Sequence, residues 1–398
     1  IDCESSGRGF YFHLSEDEES ILYGLTIRNG YVTDGGGAIL CSHASPVIQN
    51  CRLENNTADS SSGGGMKCVD ASPVIRDCTF LSNATLVFAM DSLGAGLYLS
   101  GSSAHIENCQ FLNNDSSLEG GAVECIDSMP IIRGCLFQGN ESEGHGGGLV
   151  FMESSITIID CDFLSNHANH TIGGCIFYNN CTDVLIVNSY FYQSVCEFEG
   201  SAIYAASGHD PLRRPDAPRG QHIIANCLFF NNHAEYSNGT VYCDNVAPLF
   251  IHCTFTGNSV NGNGGAIATY DMSPVITNCI LWGDTYGEIS SSQGNPIVTY
   301  SDVELDSGVY EGEGNINMDP LFAIGIQGAF YLSQTAAGQF QNSPCLDAGN
   351  TAAIDSCIPV LDTEFCMDSF YTRTDHTTDT GVVDMGYHFR NACLHTGD

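Results

Sequence analysis

GGGAILCSHASPVIQNCRLENN, residues 35–56, reads as a glycine corner, a strand, a turn, a second strand and a turn ending in paired asparagines. The phrase returns as GGGMKCVDASPVIRDCTFLSN at 63–83. Aligned on the dipeptide before each polar turn, the copies run Asn50-Cys51, Asp77-Cys78, Asn108-Cys109, Gly134-Cys135, Asp160-Cys161, Asn188-Ser189, Asn226-Cys227, His252-Cys253 and Asn278-Cys279. Most steps are 26 to 31 residues and one is 38, with a weaker copy at Asn29-Gly30. Self-similarity at such a period marks a solenoid, because a unit this small cannot bury an apolar face until copies stack on it.

Within each copy the apolar residues form short β-branched or aromatic runs, such as PVI, TITII and VLIV, bounded by Gly, Ser, Asn and Asp. These are strand signals, and no window carries a sustained helical stripe with caps. The pattern predicts an all-β parallel β-helix of roughly ten or more coils, with equivalent side chains about 4.8 Å apart in columns. Asn or Asp at 29, 50, 77, 108, 160, 188, 226 and 278 forms one such column, able to hydrogen-bond along the axis and to turn backbone. The glycine groups at 35–37, 63–65, 120–121, 146–148, 173–174 and 264–265 supply positive φ or close approach at one corner.

The chain of 398 residues carries 47 acidic against 11 basic residues, only one of them a lysine, Lys67. A net charge of −36 excludes phosphate-backbone partners such as nucleic acid and suits an extracellular protein kept soluble by self-repulsion. No apolar run approaches the length of about 18 residues that a spanning helix needs. No signal peptide is legible, so the chain reads as a mature form or a fragment. Twenty cysteines point to an oxidising compartment. Four of them precede a ladder cysteine by ten residues, which proposes the within-coil disulfides Cys41/Cys51, Cys68/Cys78, Cys125/Cys135 and Cys243/Cys253. The alternative is a column of buried, unreactive thiols, since Cys109, Cys161, Cys227 and Cys279 hold ladder positions without that partner.

The repeat breaks twice. SGHDPLRRPDAPRGQ at 207–221 accounts for the long step and reads as an ejected loop, in which Asp210, Arg213, Arg214, Asp216 and Arg219 could clamp an acidic sugar. After about residue 300 the pattern loosens, which divides the chain into a β-helix at 1–300 and a last-coil and capping segment at 301–398. Cys345, Cys357, Cys366 and Cys393 are expected to staple that cap with disulfides. Asp375, Asp379 and Asp384 flank an acidic turn with a glycine, TTDTG, and are read as hard-oxygen ligands for Ca²⁺. His167 and His170 are the one close histidine pair, and a third metal ligand is missing beside them. N-x-[ST] sequons at Asn55, Asn83, Asn114, Asn140, Asn169, Asn180 and Asn238 are candidate glycan acceptors, most of them in coil turns where Asn tolerates left-handed backbone.

SPVIQNC with its GGG corner, EISSSQGNPIVTYSDVE at 288–304, NINMDPLF at 315–322, SPCLDAGN at 343–350 and TRTDHTTDTGVVDMGYHF at 372–389 carry a resemblance. They are similar to right-handed parallel β-helix proteins of the pectate-lyase-like superfamily, and specifically to large secreted bacterial proteins ending in a DxGxxDMGYH-type segment. Members of that group have further coils upstream of the stretch matching residues 1–12, so the chain reads as starting inside a coil. The resemblance implies a right-handed coil and raises polysaccharide lyase or hydrolase activity, yet the implied sets are not legible. Lysine is almost absent, Arg28, Arg52, Arg76 and Arg133 recur as an outward stripe, and no adjacent aspartate pair occurs. The expectation is therefore an extracellular structural or adhesive β-helix that self-associates head to tail, with a carbohydrate-active or carbohydrate-binding rod as its rival.

Overall fold

The computed structural model describes residues 1–86, 92–207, 220–361 and 363–390. Its strands are two to five residues long and stack in register into a parallel β-helix of eleven coils. Sheet I runs from Phe10–Phe12 through Ile39–Ser42 to Ile289–Ser292, sheet II from Ile21–Tyr23 to Ile297–Thr299, and sheet III from Thr26–Arg28 to Asp302–Val303, with eleven strands each. A nine-stranded sheet IV of shorter strands, Tyr31–Val32 to Ser259–Val260, fills the fourth side.

A three-residue strand can turn only its middle side chain inwards, and the sequence supplies an apolar residue there in coil after coil. In sheet II the inward column runs Ile48, Ile75, Ile106, Ile132, Ile158, Ile186, Ile224 and Phe250. In sheet III it becomes Phe80, Phe111, Phe137, Phe163, Phe191, Phe229 and Phe255, stacked with ring centroids 4.4 to 5.0 Å apart and planes within 9°. All seven rings are buried, and each stacked pair adds about 0.5–1.5 kcal/mol beyond its area burial. The glycine corner is needed for space as well as for φ: Gly120 sits at φ 63, and a Cβ on Gly121 would lie 2.1 Å from the Gly147 carbonyl oxygen.

The paired asparagines divide two tasks. The first of each pair, Asn55, Asn113 or Asn231, is exposed and left-handed, at φ 51 to 54. The second, Asn56, Asn114 or Asn232, is fully buried and belongs to an inner ladder with Asn83, Asn140, Asn166 and Asn258. Asn114 shows the rung: its backbone N–H and its Nδ2 both donate to Asn140 Oδ1 at 3.0 and 2.9 Å, and Nδ2 also donates to the Phe80 carbonyl at 3.0 Å. Asn83 in turn donates to Asn114 Oδ1. The outer Asn and Asp column sits at left-handed φ and bonds axially as expected, for example Asn226 Nδ2 to Asn188 Oδ1 at 2.9 Å.

The within-coil disulfides are corrected by the structure. Cys41, Cys68, Cys125 and Cys243 project from sheet I, whereas Cys51, Cys78, Cys135 and Cys253 lie at the corner between sheets II and III, and all eight are free thiols. Their neighbours are axial: Cys41 is in register with Cys68, and Cys51 N–H donates to Cys78 Sγ at 3.4 Å. Cys109 to Cys135 and Cys253 to Cys279 repeat that rung, while Ser189 and Ser301 substitute a hydroxyl in the same place. Burial pushes the thiols of Cys68, Cys135, Cys227 and Cys279 well above their ordinary range, leaving them unreactive. In the C-terminal segment Cys357 bonds Cys366 across a hairpin, Cys345 is a buried thiol donating to Asp302, and Cys393 lies outside the described residues.

The C-terminal segment closes the end of the coil only in part. Ile316 pairs with the Asp302 strand, and Tyr310 packs on the main core. Residues 322–390 instead run back along the flank, because the flank there is apolar. The outward column of sheet II changes from Gln49, Arg76, Glu107 and Arg133 to Ile159, Val187, Ala225 and Ile251. Ile358, Val360, Met367, Phe370 and Val383 cover it. The strand edge follows the outer Asn column: Gly386 N–H donates to the Asn278 carbonyl, His388 exchanges two hydrogen bonds with the Asn226 amide, and Arg390 pairs with Asp160 at 3.1 Å.

At its last rung the inner ladder ends in a carboxylate. Asp284 Oδ1 accepts from Asn258, its Oδ2 is sealed from solvent, and its N–H donates to the buried Glu288 carboxylate at 3.2 Å. Burial raises Asp284 to about 7, and burial together with the Asp284 charge raises Glu288 to about 11. Both folded values exceed the ordinary 3.8 and 4.5, so this contribution to stability is complete below the ordinary values and is lost as pH rises through the raised ones.

Two outcomes follow. Asn114→Ala strips several buried bonds and should cost about 3 kcal/mol in chemical denaturation, whereas Asn113→Gly, at a left-handed exposed position, should cost less than about 1 kcal/mol. The second concerns pH. Glu288→Gln should be more stable relative to the parent at about pH 8 than at about pH 5, and thermal melts of the two proteins at both values check the sign.

Candidate functional site

The sequence-derived candidates do not converge on one point. Asp375 pairs with Arg373 at 2.6 Å and is exposed. Asp379 is buried, with Oδ2 accepting from Asp384 N–H at 2.9 Å and facing His388 Nε2 at 3.0 Å. Asp384 accepts from Asp347 N–H at 2.8 Å and from the Thr372 hydroxyl, and burial with the nearby Asp379 charge raises it to about 6. The three aspartates thus hold the docked turn to itself. Among the described residues one set of metal-type side chains converges, Cys357, Glu364 and Cys366, and its two sulfurs are joined as a disulfide. The DMGYH stretch therefore acts mechanically: Gly386, Tyr387 and His388 engage the coil, and a Cβ on Gly386 would lie 2.6 Å from Thr254 Oγ1.

His170 lies between Glu143 at 3.5 Å and Glu197 at 3.4 Å on a turn, while His167 stands in sheet IV beside Glu141 and Val195. Three sequons are corrected: Asn83, Asn114 and Asn140 are fully buried, their Nδ2 groups committed to the inner ladder, and cannot carry a glycan in the folded chain. Asn55 is exposed, and Asn169, Asn180 and Asn238 are half-buried. Asp210, Arg213, Arg214, Asp216 and Arg219 lie outside the described residues.

The outward face of sheet I is only partly open to solvent, with Leu40, Glu124, Val150 and Phe177 buried and Lys67, Tyr98, Tyr204 and Tyr242 half-buried. Its main column runs Leu40, Lys67, Tyr98, Glu124, Val150, Phe177, Tyr204 and Tyr242. His145 stacks on Phe177 at 4.6 Å, Phe177 on Tyr204 at 5.6 Å, and Tyr204 on Tyr242 at 5.2 Å. Rings stacked along the axis spend their faces on one another and offer a partner their edges, so the column is no platform for a sugar ring. Phe198 and Tyr236, 40% and 65% exposed on the bordering turns, add apolar surface at the lip.

One group of titratable residues sits on this face. Glu124 is fully buried, with Oε2 lacking any partner, and burial followed by the Glu119 charge pushes its carboxyl well up. Burial also raises Glu119 and lowers His145, whose Nε2 lies 3.9 Å from Glu119. In all three the low dielectric disfavours the charged form. The burial of Glu124 seals it from solvent. Nothing in the sequence pattern marked Glu124 except a charge at a position where neighbouring coils carry Tyr98 and Val150.

The described residues contain no helix long and apolar enough to cross a membrane. A model of the right-handed beta helix region matches residues 1–117 and 75–209, and a model of the Chlamydia polymorphic membrane protein repeat matches residues 252–270. No curated protein and no solved structure matches the chain. Because the first match covers more than half of the sequence and the coil stack bears it out residue by residue, the chain belongs to the right-handed β-helix family.

Proposed function

We propose that the protein is an extracellular structural and adhesive rod whose copies join end to end. The observation that carries this reading is the state of sheet I. Its last strand, Ile289–Ser292, has one edge unpaired among the described residues. The third sheet differs: Asp2 bridges Arg28 at one end and Ile316 bridges Asp302 at the other. An unpaired parallel edge of this kind can take up a strand of a second copy in a head-to-tail contact. The match to a repeat named for a Chlamydia membrane protein supports a surface location, and the charge of −36 supports solubility outside the cell.

Ile267 N–H donates to the Glu288 carbonyl and Asp271 N–H to the Ser292 carbonyl, so the even-numbered residues of this last strand bond inwards and the Ser291 amide faces the open edge. Light scattering across a wide concentration range should show the wild-type chain growing into multimers, with Ser291→Pro, which removes that donor, shifted towards monomer. A monodisperse monomer at every concentration, or equal growth of the variant, overturns the assembly.

A further inference from the structure

The antiparallel strands Cys357–Val360 and Thr363–Cys366 form a hairpin that lies on the flank of the coil. Ile358, Val360 and Phe365 face down and pack on the aliphatic column of sheet II. Strand alternation turns Cys357, Glu364 and Cys366 the other way, and all three are at least partly exposed. Cys357 and Cys366 are directly opposed across the pair, and Glu364 precedes Cys366 by two residues on the same face. The two sulfurs and the Glu364 carboxylate lie within 4.8 Å of one another. A disulfide that only stapled the hairpin would need no carboxylate beside it, yet Glu364 makes no hydrogen bond or ion pair among the described residues. The other described cysteines cannot compete for a solvent-borne ligand, because all but Cys3 are buried.

We propose that reduction of the Cys357–Cys366 disulfide turns this face of the hairpin into a site for a thiophilic divalent ion of zinc type, held by both sulfurs and Glu364. The reductant is a dithiol. One of its thiolates attacks a cysteine sulfur and breaks the S–S bond; its second thiolate then resolves the mixed disulfide, so two electrons pass to the protein, both cysteines become thiols and the dithiol leaves as a cyclic disulfide. Zn²⁺ displaces the two thiol protons to solvent and takes the sulfurs as thiolates. Bond lengths of about 2.3 Å to sulfur and about 2.1 Å to oxygen place tetrahedral ligand atoms roughly 3.6 to 3.8 Å apart, inside the spread found here. Three protein donors leave the fourth position to water, which is the count of an open site. Two sulfurs in three disfavour Ca²⁺ and Mg²⁺, and the net charge of −36 draws cations to the surface. The site is independent of the end-to-end assembly proposed above.

Cobalt substitution on the full chain tests the site. The protein is titrated with Co²⁺ as purified, and again after reduction with a dithiol that is then removed without air. The reduced chain should develop a thiolate-to-cobalt charge-transfer band that saturates at a single equivalent and is abolished by Zn²⁺, and the oxidised chain should show none. Cys357→Ser with Cys366→Ser keeps every buried thiol and should show no band after reduction. Glu364→Gln keeps the disulfide, so its fold is checked by its melting temperature before reduction; once reduced it should bind Co²⁺ at least about tenfold more weakly, since a direct ligand costs no less than an outer-shell partner. No band in the reduced wild-type chain, an equal band in the oxidised chain or in the double serine variant, or unchanged affinity in Glu364→Gln overturns the proposal.

Discussion

Coil-to-coil stacking at one fixed spacing is the constraint on which everything else depends. Each residue that faces inwards meets its own equivalent about 4.8 Å above and below, so it must be a residue that can stack on itself. Phenylalanine does so by ring stacking, isoleucine by dispersion, cysteine by passing a thiol between backbone groups, and asparagine by donating to the next side chain while accepting from the last. Asparagine is the demanding case, because a buried amide without partners would cost more than it gives; the column meets this in runs, interrupted where Ser194 takes the asparagine position between Asn166 and Asn232. The ladder explains why the same short phrase recurs through so many coils, and why its ends need special residues such as Asp284.

The same constraint separates architecture from function. An interior filled by self-stacking columns has no room for a site, and the buried glycines, asparagines and thiols are committed to holding coils together. What can vary is outside: the outward positions of each short strand, the turns, and the segment laid along the flank. The outward sheet II column shows this, passing from Gln49, Arg76, Glu107 and Arg133 in the early coils to Ile159, Val187 and Ala225 where the C-terminal segment lies on it. Charge belongs to the exposed stretch, and apolar surface to the covered one.

Much of this was legible in the sequence, for a physical reason. Period, glycine corners and inward apolar residues are local and repeated, so each copy confirms the last. The division of labour inside Asn55-Asn56 was not legible, because left-handed tolerance and an inward amide demand the same residue type. Spacing along the chain suggested Cys41 to Cys51, but distance in a solenoid is shortest along the axis, where Cys68 and Cys78 lie. The partners of the acidic turn around Asp379 and Asp384 were not legible, because sequence shows carboxylates without their surroundings: His388, Thr372 and two backbone amides lie against them. The flank docking left a trace that could have been found, the switch from charged to aliphatic residues just before each ladder dipeptide.

Native-state hydrogen exchange resolved by residue measures the inner ladder directly. The backbone amides of Asn83, Asn114, Asn140 and Asn232, each donating to the asparagine of the next coil, should be among the slowest to exchange in the chain and should open together. Fast or independent exchange at these four positions, comparable to a frayed turn, would contradict the account.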